Sequence, residues 1–280
     1  MLAVVFAFAS SLCWGTADFM GGLQSRRRPL LTVLTIGQLA AMTLAIGYVA
    51  IGRGTVPGLG PAAAAFAAGV TGCMALAAFY RGLAIGTMSI VAPVSATGAA
   101  VPVLAGLAQG ERPATLQVAG IVVALMGIVL AAREPATAEP GKAVRASLGL
   151  ALLAALGFGM FFWLIDAATA SGGVPWTILF VRAGELVLLG AVFAVRRPAL
   201  PTGLRDAAPL LLIGSLDMLA NVMFALATTH GLLSVVSVVG SLYPAVTVVL
   251  ARLVLSERVS RSQELGVLAT LAGVVAISAG

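Results

Sequence analysis

The chain has 280 residues, 60% of them hydrophobic and only 9% charged, with a net charge of +6. A soluble fold needs a charged skin of about a quarter of its residues, so a water-soluble globule is excluded. The short alternating segments of a transmembrane barrel are missing as well. What remains is a series of apolar runs, each long enough as a helix to cross about 30 Å of hydrocarbon. In the first half they lie near residues 2–22, 30–51, 61–80, 84–108 and 114–132. In the second they lie near 147–170, 174–195, 207–229, 233–254 and 262–279. The sequence predicts an all-α polytopic membrane protein with ten transmembrane helices.

The first run lacks a basic start, contains Asp18 and precedes Arg26, Arg27 and Arg28, which suits a spanning helix rather than a cleaved leader. The stretch 52–60, with four Gly and Pro57, is a clear break. Residues 133–146 form the only sizeable polar linker. Cys13 and Cys73 sit inside apolar runs and read as packing residues. With His230 as the single histidine, no metal site and no cofactor are expected.

The two halves repeat each other. Val103, Leu104, Ala105 and Leu107 recur 146 residues later as Val249, Leu250, Ala251 and Leu253. At the same spacing Glu111, Arg112, Gln117, Gly120, Leu125 and Gly127 recur as Glu257, Arg258, Gln263, Gly266, Leu271 and Gly273. Phe79, Gly86, Ser89 and Val94 recur at a spacing of 145, and Leu12 and Gly15 at 144. Five spans per half is an odd number, so the second half enters the membrane upside down. The expected plan is a 5+5 inverted repeat: 1–132, a cytoplasmic linker at 133–146, and 147–280.

Charge placement agrees with that inversion. Basic residues follow the first and third helices of the first half (Arg26, Arg27, Arg28, Arg81). In the second half they gather near the ends of the second and fourth (Arg196, Arg197, Arg205; Arg252, Arg258, Arg261). With Arg133, Lys142 and Arg145 of the linker, 13 of 16 basic residues share one face. By the positive-inside rule that face is cytoplasmic and both termini point outward. These short clusters are retention charges, and no nucleic-acid partner is expected.

An ionised group at the bilayer centre costs about 2.5–3.5 kcal/mol on insertion scales, so it normally faces a cavity or a partner. Glu185 and Asp217 fall near the middles of the seventh and eighth spans, and Arg182 precedes Glu185 by one helical turn. Two readings stand for Arg182 and Glu185: an internal ion pair that locks packing, or an arginine facing a substrate anion beside a proton-holding glutamate. Asp217 has no cation at i±3 or i±4, so it reads as unpaired and as the best candidate for a mechanistic acid; the alternative is a hydrogen-bonded Asp facing Asn221 or another helix. Asp18 and Gln38 lie in the first and second spans, Asp18 close to the cytoplasmic side and equally compatible with simple solvation. Trp14 and Tyr243 are candidate pathway residues. Trp163 and Trp176 read as interface anchors. Pro93, Pro102 and Pro244 interrupt the fourth and ninth helices and are candidates for gating or kinks. Glu111 and Glu257 read as structural loop closures.

Gly15 after Trp14, two fivefold halves, and the pairs Glu111-Arg112 and Glu257-Arg258 closing the fourth helix of each half resemble the EamA-type drug/metabolite transporters. The resemblance covers essentially the whole chain. It implies ten helices, a central cavity and movement of small solutes, commonly export of amino acids or related metabolites, with drugs or sugar-linked compounds in other branches. Members are often drawn with cytoplasmic termini; the charges here argue for the opposite.

The expected function is a secondary transporter in the plasma membrane, moving a small solute by alternating access. Proton coupling through Asp217 or Glu185 and passive facilitation are both compatible with the residues, as is multidrug export. No Gly-rich phosphate loop ends in the single Lys142, which argues against ATP-driven transport by this chain. An integral-membrane enzyme or a sensor subunit fits less well, because convergent His, Asp or Cys groups are missing and neither needs a duplicated core. Oligomeric state is not legible.

Overall fold

The computed structural model describes residues 1–52, 56–86, 88–131, 142–198, 200–201, 203–255 and 261–279. Arg53, Arg133, Glu257, Arg258 and most of the predicted linker lie outside the described residues, as does the side chain of Pro93. Among the described residues every regular element is helical. Three long helices open the chain: α1 (Leu2–Arg27), α2 (Leu30–Ile51) and α3 (Leu59–Ile85). Next come α4 (Met88–Ala96), a 3₁₀ turn (Thr97–Ala99), α5 (Ala100–Ala108) and α6 (Thr115–Ala131). The second half holds α7 (Lys142–Gly172), α8 (Val174–Arg196), α9 (Leu204–Thr228), α10 (Leu233–Gly240), α11 (Tyr243–Leu255) and α12 (Arg261–Ala279).

Seven helical stretches among the described residues are long and apolar enough to cross a membrane, with α10 and α11 counted as one; two shorter apolar stretches cover 94–108 and 115–127. Their outer faces carry exposed Leu39, Ile46, Met126, Val187, Leu253 and others in mid-helix. Such side chains are a liability in water and ordinary against lipid. A helix satisfies its own backbone, so this is the secondary structure that hydrocarbon permits.

The predicted fourth helix is not continuous. It breaks at Thr97–Ala99, and the ninth breaks at Ser241–Leu242. Adding the repeat spacing of 145 to 97–99 gives 242–244, so the two breaks correspond. Pro102 and Pro244 do not interrupt helix interiors. Each occupies the first turn of the half-helix after its break, where the missing N–H removes no helical bond. Ser95 of α4 and Tyr243 of α11 share a buried hydrogen bond of 2.9 Å, tying one break to the other.

Packing alternates between the halves. α3 packs chiefly on α7 and α8, α1 and α2 both pack on α9, and α6 packs on α12. Small residues allow the close approach. A Cβ at Gly69 would strike the Val181 carbonyl and one at Gly184 the Phe66 carbonyl, so α3 and α8 meet backbone to backbone. Gly15 likewise abuts the Tyr243 carbonyl at the second break, and Gly159 the Gly98 carbonyl at the first.

Contacts between helix ends sort the loops into two sets. At one end Arg28 pairs with Asp206 at 3.3 Å, Arg26 donates to the Leu83 carbonyl at 3.4 Å, and Gly86 faces Ser147. At the other, Glu111 reaches Leu233, Gly172 faces Pro57 and Pro61, and Gly231 faces Ala3.

Candidate functional site

The Gly69–Gly184 contact sets the depth of α8, and with it Arg182 and Glu185. Arg182 is fully buried. Its Nη1 lies 2.7 Å from each of three oxygens, those of Gln38 on α2, Glu185 one turn along α8, and Asp217 on α9. One –NH₂ has two hydrogens for these three acceptors, so the three oxygens share them. The Nε and Nη2 groups have no hydrogen-bond partner among the described residues.

Asp217 therefore has a cation after all, supplied by a neighbouring helix, and the expectation that it stands unpaired is corrected. A search at i±3 and i±4 sees only one helix; here the partner sits 35 residues away in sequence. Its other oxygen accepts from Trp14 Nε1 at 3.1 Å and from Asn221 Nδ2 at 3.2 Å. Asn221 Nδ2 also donates to the Asp217 carbonyl at 2.7 Å, so the sequence-based Asp217–Asn221 contact exists alongside the ion pair.

These groups border a cavity of about 450 Å³, counting its open mouth. Trp14 and Asp18 of α1 and Gly72 and Leu76 of α3 line it from the first half. Phe158, Phe161 and Phe162 of α7, Glu185, Asp217, Asn221 and Tyr243 line it from the second. A smaller recess is bordered by Gln38, Tyr80, Leu76 and Asp217. The aromatic wall is continuous, with Phe162 stacked on Phe224 at 4.6 Å and Trp14 tilted against both at 5.6 and 5.5 Å.

The sequence leaves Asp18 open to a pathway role or to simple solvation. It is 5% exposed, borders the cavity, and forms no ion pair among the described residues. It is therefore not a solvated interfacial residue. Of the pathway residues expected from the sequence, Trp14, Asp18, Glu185, Asp217, Asn221 and Tyr243 meet at the cavity. Gln38 joins through Arg182, and Arg182 stands behind the wall. Pro102 and Pro244 border no part of it. Sequence reasoning missed the α7 phenylalanines. Their spacing at 158, 161 and 162 puts them on one helical face, a signal that was available.

The family model described as "EamA-like transporter family" matches residues 1–133 and again 145–279. The chain belongs to the EamA-like transporter family. It is a multi-pass membrane protein of the drug/metabolite transporter superfamily. A solved structure titled only "Crystal structure of protein" superposes on this EamA-like transporter with a TM-score of 0.71. It covers 98% of this chain and 95% of the other at 16% sequence identity, a likeness of fold alone. No curated protein matches the chain.

One further element of this EamA-like transporter joins the halves. α5 ends through Gly110, whose φ of 91° favours glycine, and Glu111 N–H returns to the Gly106 carbonyl at 3.0 Å. That turn aims the Glu111 carboxylate at the start of α10, where it accepts from Leu233 N–H at 2.7 Å and Ser234 N–H at 3.1 Å. Glu111 is thus more than the closure of its own loop; it caps a helix of the other half. Glu111→Ala leaves two helix N–H groups without their charged acceptor and is expected to cost about 1–3 kcal/mol. A lowered thermal midpoint checks this, and Glu111→Gln should recover part of the loss.

Proposed function

We propose that this EamA-like transporter is a secondary transporter whose substrate binds in the cavity between α1, α3, α7, α8, α9 and α11. The carrying observation is that both halves contribute polar and aromatic side chains to one water-accessible space beside paired helix breaks. Discontinuous helices at matching places in two repeats are where transporters often place their sites, because freed backbone at membrane depth is tolerated only where protein buries it or a water-filled cavity meets it.

The ten-helix, 5+5 inverted plan is part of the same reading. Exchanging the halves turns the α3–α7 contact into α9–α1 and the α3–α8 contact into α9–α2, and both members of each pair occur. The helix-end contacts support five crossings in each half, with α1 starting at the face where Glu111 lies and α7 starting at the opposite one. The basic clusters after α1 and α8 fall on the α7-start face, which we read as cytoplasmic, with both termini outside. The repeats are taken as 1–132 and 147–280, joined by a cytoplasmic linker, in the plasma membrane.

The solute is a small metabolite, exported by rocking of the halves around the cavity. Proton coupling passes through Asp18. Protonating Asp217 or Glu185 weakens the pairing of a fully buried arginine, whereas Asp18 can change charge without disrupting an ion pair. Uptake into liposomes holding the purified protein tests the whole reading. With labelled amines, amino acids and sugars offered in turn, at least one is expected to accumulate, faster under a pH gradient. Movement of none, with or without the gradient, removes the transport reading.

A further inference from the structure

Resting on the reading of the cavity as the solute site, we infer that it selects a protonated amine carrying an aromatic or apolar body, over anions and zwitterions. The first observation is electrostatic. Among the described residues the lining carries three carboxyl groups, Asp18, Glu185 and Asp217, and no cation. The one nearby guanidinium, Arg182, does not border the space, and two of the three acids already stand against it. Three acids against a single cation leave the wall with no surplus of positive charge. A solute carboxylate would have to pass those acids and displace one of them to reach Arg182.

The second observation is independent of charge. Asn221 borders the cavity, is 2% exposed, and its Oδ1 has no hydrogen-bond partner among the described residues. Its Nδ2 is committed to Asp217, which settles the orientation of the amide and leaves Oδ1 as an acceptor. A buried acceptor without a donor is costly, and an ammonium N–H supplies one beside the Asp217 carboxylate. A quaternary ammonium has no N–H to give.

The third observation is the opposite wall. Trp14, Phe158, Phe161, Phe162 and Tyr243 present ring surface to the space. Aromatic faces attract cations and bury an apolar body with equal ease, and they do nothing for a carboxylate. Acid on one side, rings on the other and an orphan acceptor between them are the contacts a protonated arylalkylamine makes.

The test uses the full-length protein in detergent, with Trp163→Phe and Trp176→Phe so that emission comes from Trp14 alone. Four probes of one scaffold are titrated at neutral pH: 2-phenylethylamine, 2-phenylethanol, phenylacetate and L-phenylalanine. The amine is expected to bind tighter than each of the others by about tenfold or more. Asp18→Asn and Asn221→Ala are each expected to weaken the amine by about tenfold, and to weaken the alcohol by much less, because its hydroxyl gives these groups only a neutral hydrogen bond. If Asp18→Asn yields no folded protein, Asn221→Ala alone decides. Equal binding of amine and alcohol, or phenylacetate or L-phenylalanine matching the amine, overturns the selectivity while leaving the cavity as the solute site. No change in Trp14 emission with any probe likewise overturns the selectivity, and only the absence of liposome uptake for every solute class overturns the cavity reading with it.

Discussion

Arg182→Ala is expected to abolish folded protein before any effect on solute binding can be measured. The guanidinium is fully buried, and among the described residues it is the only cation paired with Glu185 and Asp217. Removing one member of a buried charge network leaves uncompensated charge in a low-dielectric site, a loss of about 3–5 kcal/mol. That is a large share of the 5–15 kcal/mol by which a typical fold is stable. The measurement is monodisperse yield and thermal midpoint of the purified variant. Adding Glu185→Ala to Arg182→Ala should recover part of the loss, because the two groups are coupled and their effects do not add. A variant that folds normally and binds an anionic solute poorly would instead show that the arginine faces the substrate.

Asp18→Asn is the second large effect expected, this time in function with the fold intact. Asparagine preserves shape, and no ion pair of Asp18 is lost among the described residues. The change removes a carboxyl that borders the cavity in view of Asp217 from α9, Tyr80 from α3 and Tyr243 from α11. Accumulation driven by a pH gradient should fall to background at saturating solute, while solute exchange without a gradient persists. Asp217→Asn should behave differently, lowering folded yield through Arg182 and the Trp14 and Asn221 contacts. Gradient-driven accumulation that survives Asp18→Asn would take Asp18 out of the coupling step.

The contrast between these two acids shows where linear reading fails. Asp217 looked unpaired because its cation lies on another helix, and Asp18 stayed open between pathway and solvation because it sits toward one end of its run. A residue's depth along a helix follows from counting. Its partners depend on which helices touch, and Gly69 and Gly184 decide that by letting backbones meet. The prolines carry the same lesson. Their positions marked two disturbed helices, but the breaks lie at Thr97–Ala99 and Ser241–Leu242, with Pro102 and Pro244 opening the segments that follow.

By itself the sequence determined the environment and the family. With 9% charged residues the chain has too little polar surface for water, and its run lengths match a bilayer. The recurrence of Glu111-Arg112 as Glu257-Arg258 marked the two repeats. Only the tertiary structure decided that Arg182 is sheathed by Gln38, Glu185 and Asp217, and that Asp18 and the α7 phenylalanines share one cavity. The physical reason is distance. Hydropathy acts residue by residue along a helix and survives in linear order, whereas charge pairing and cavity lining arise between segments up to about two hundred residues apart, which only packing brings within reach.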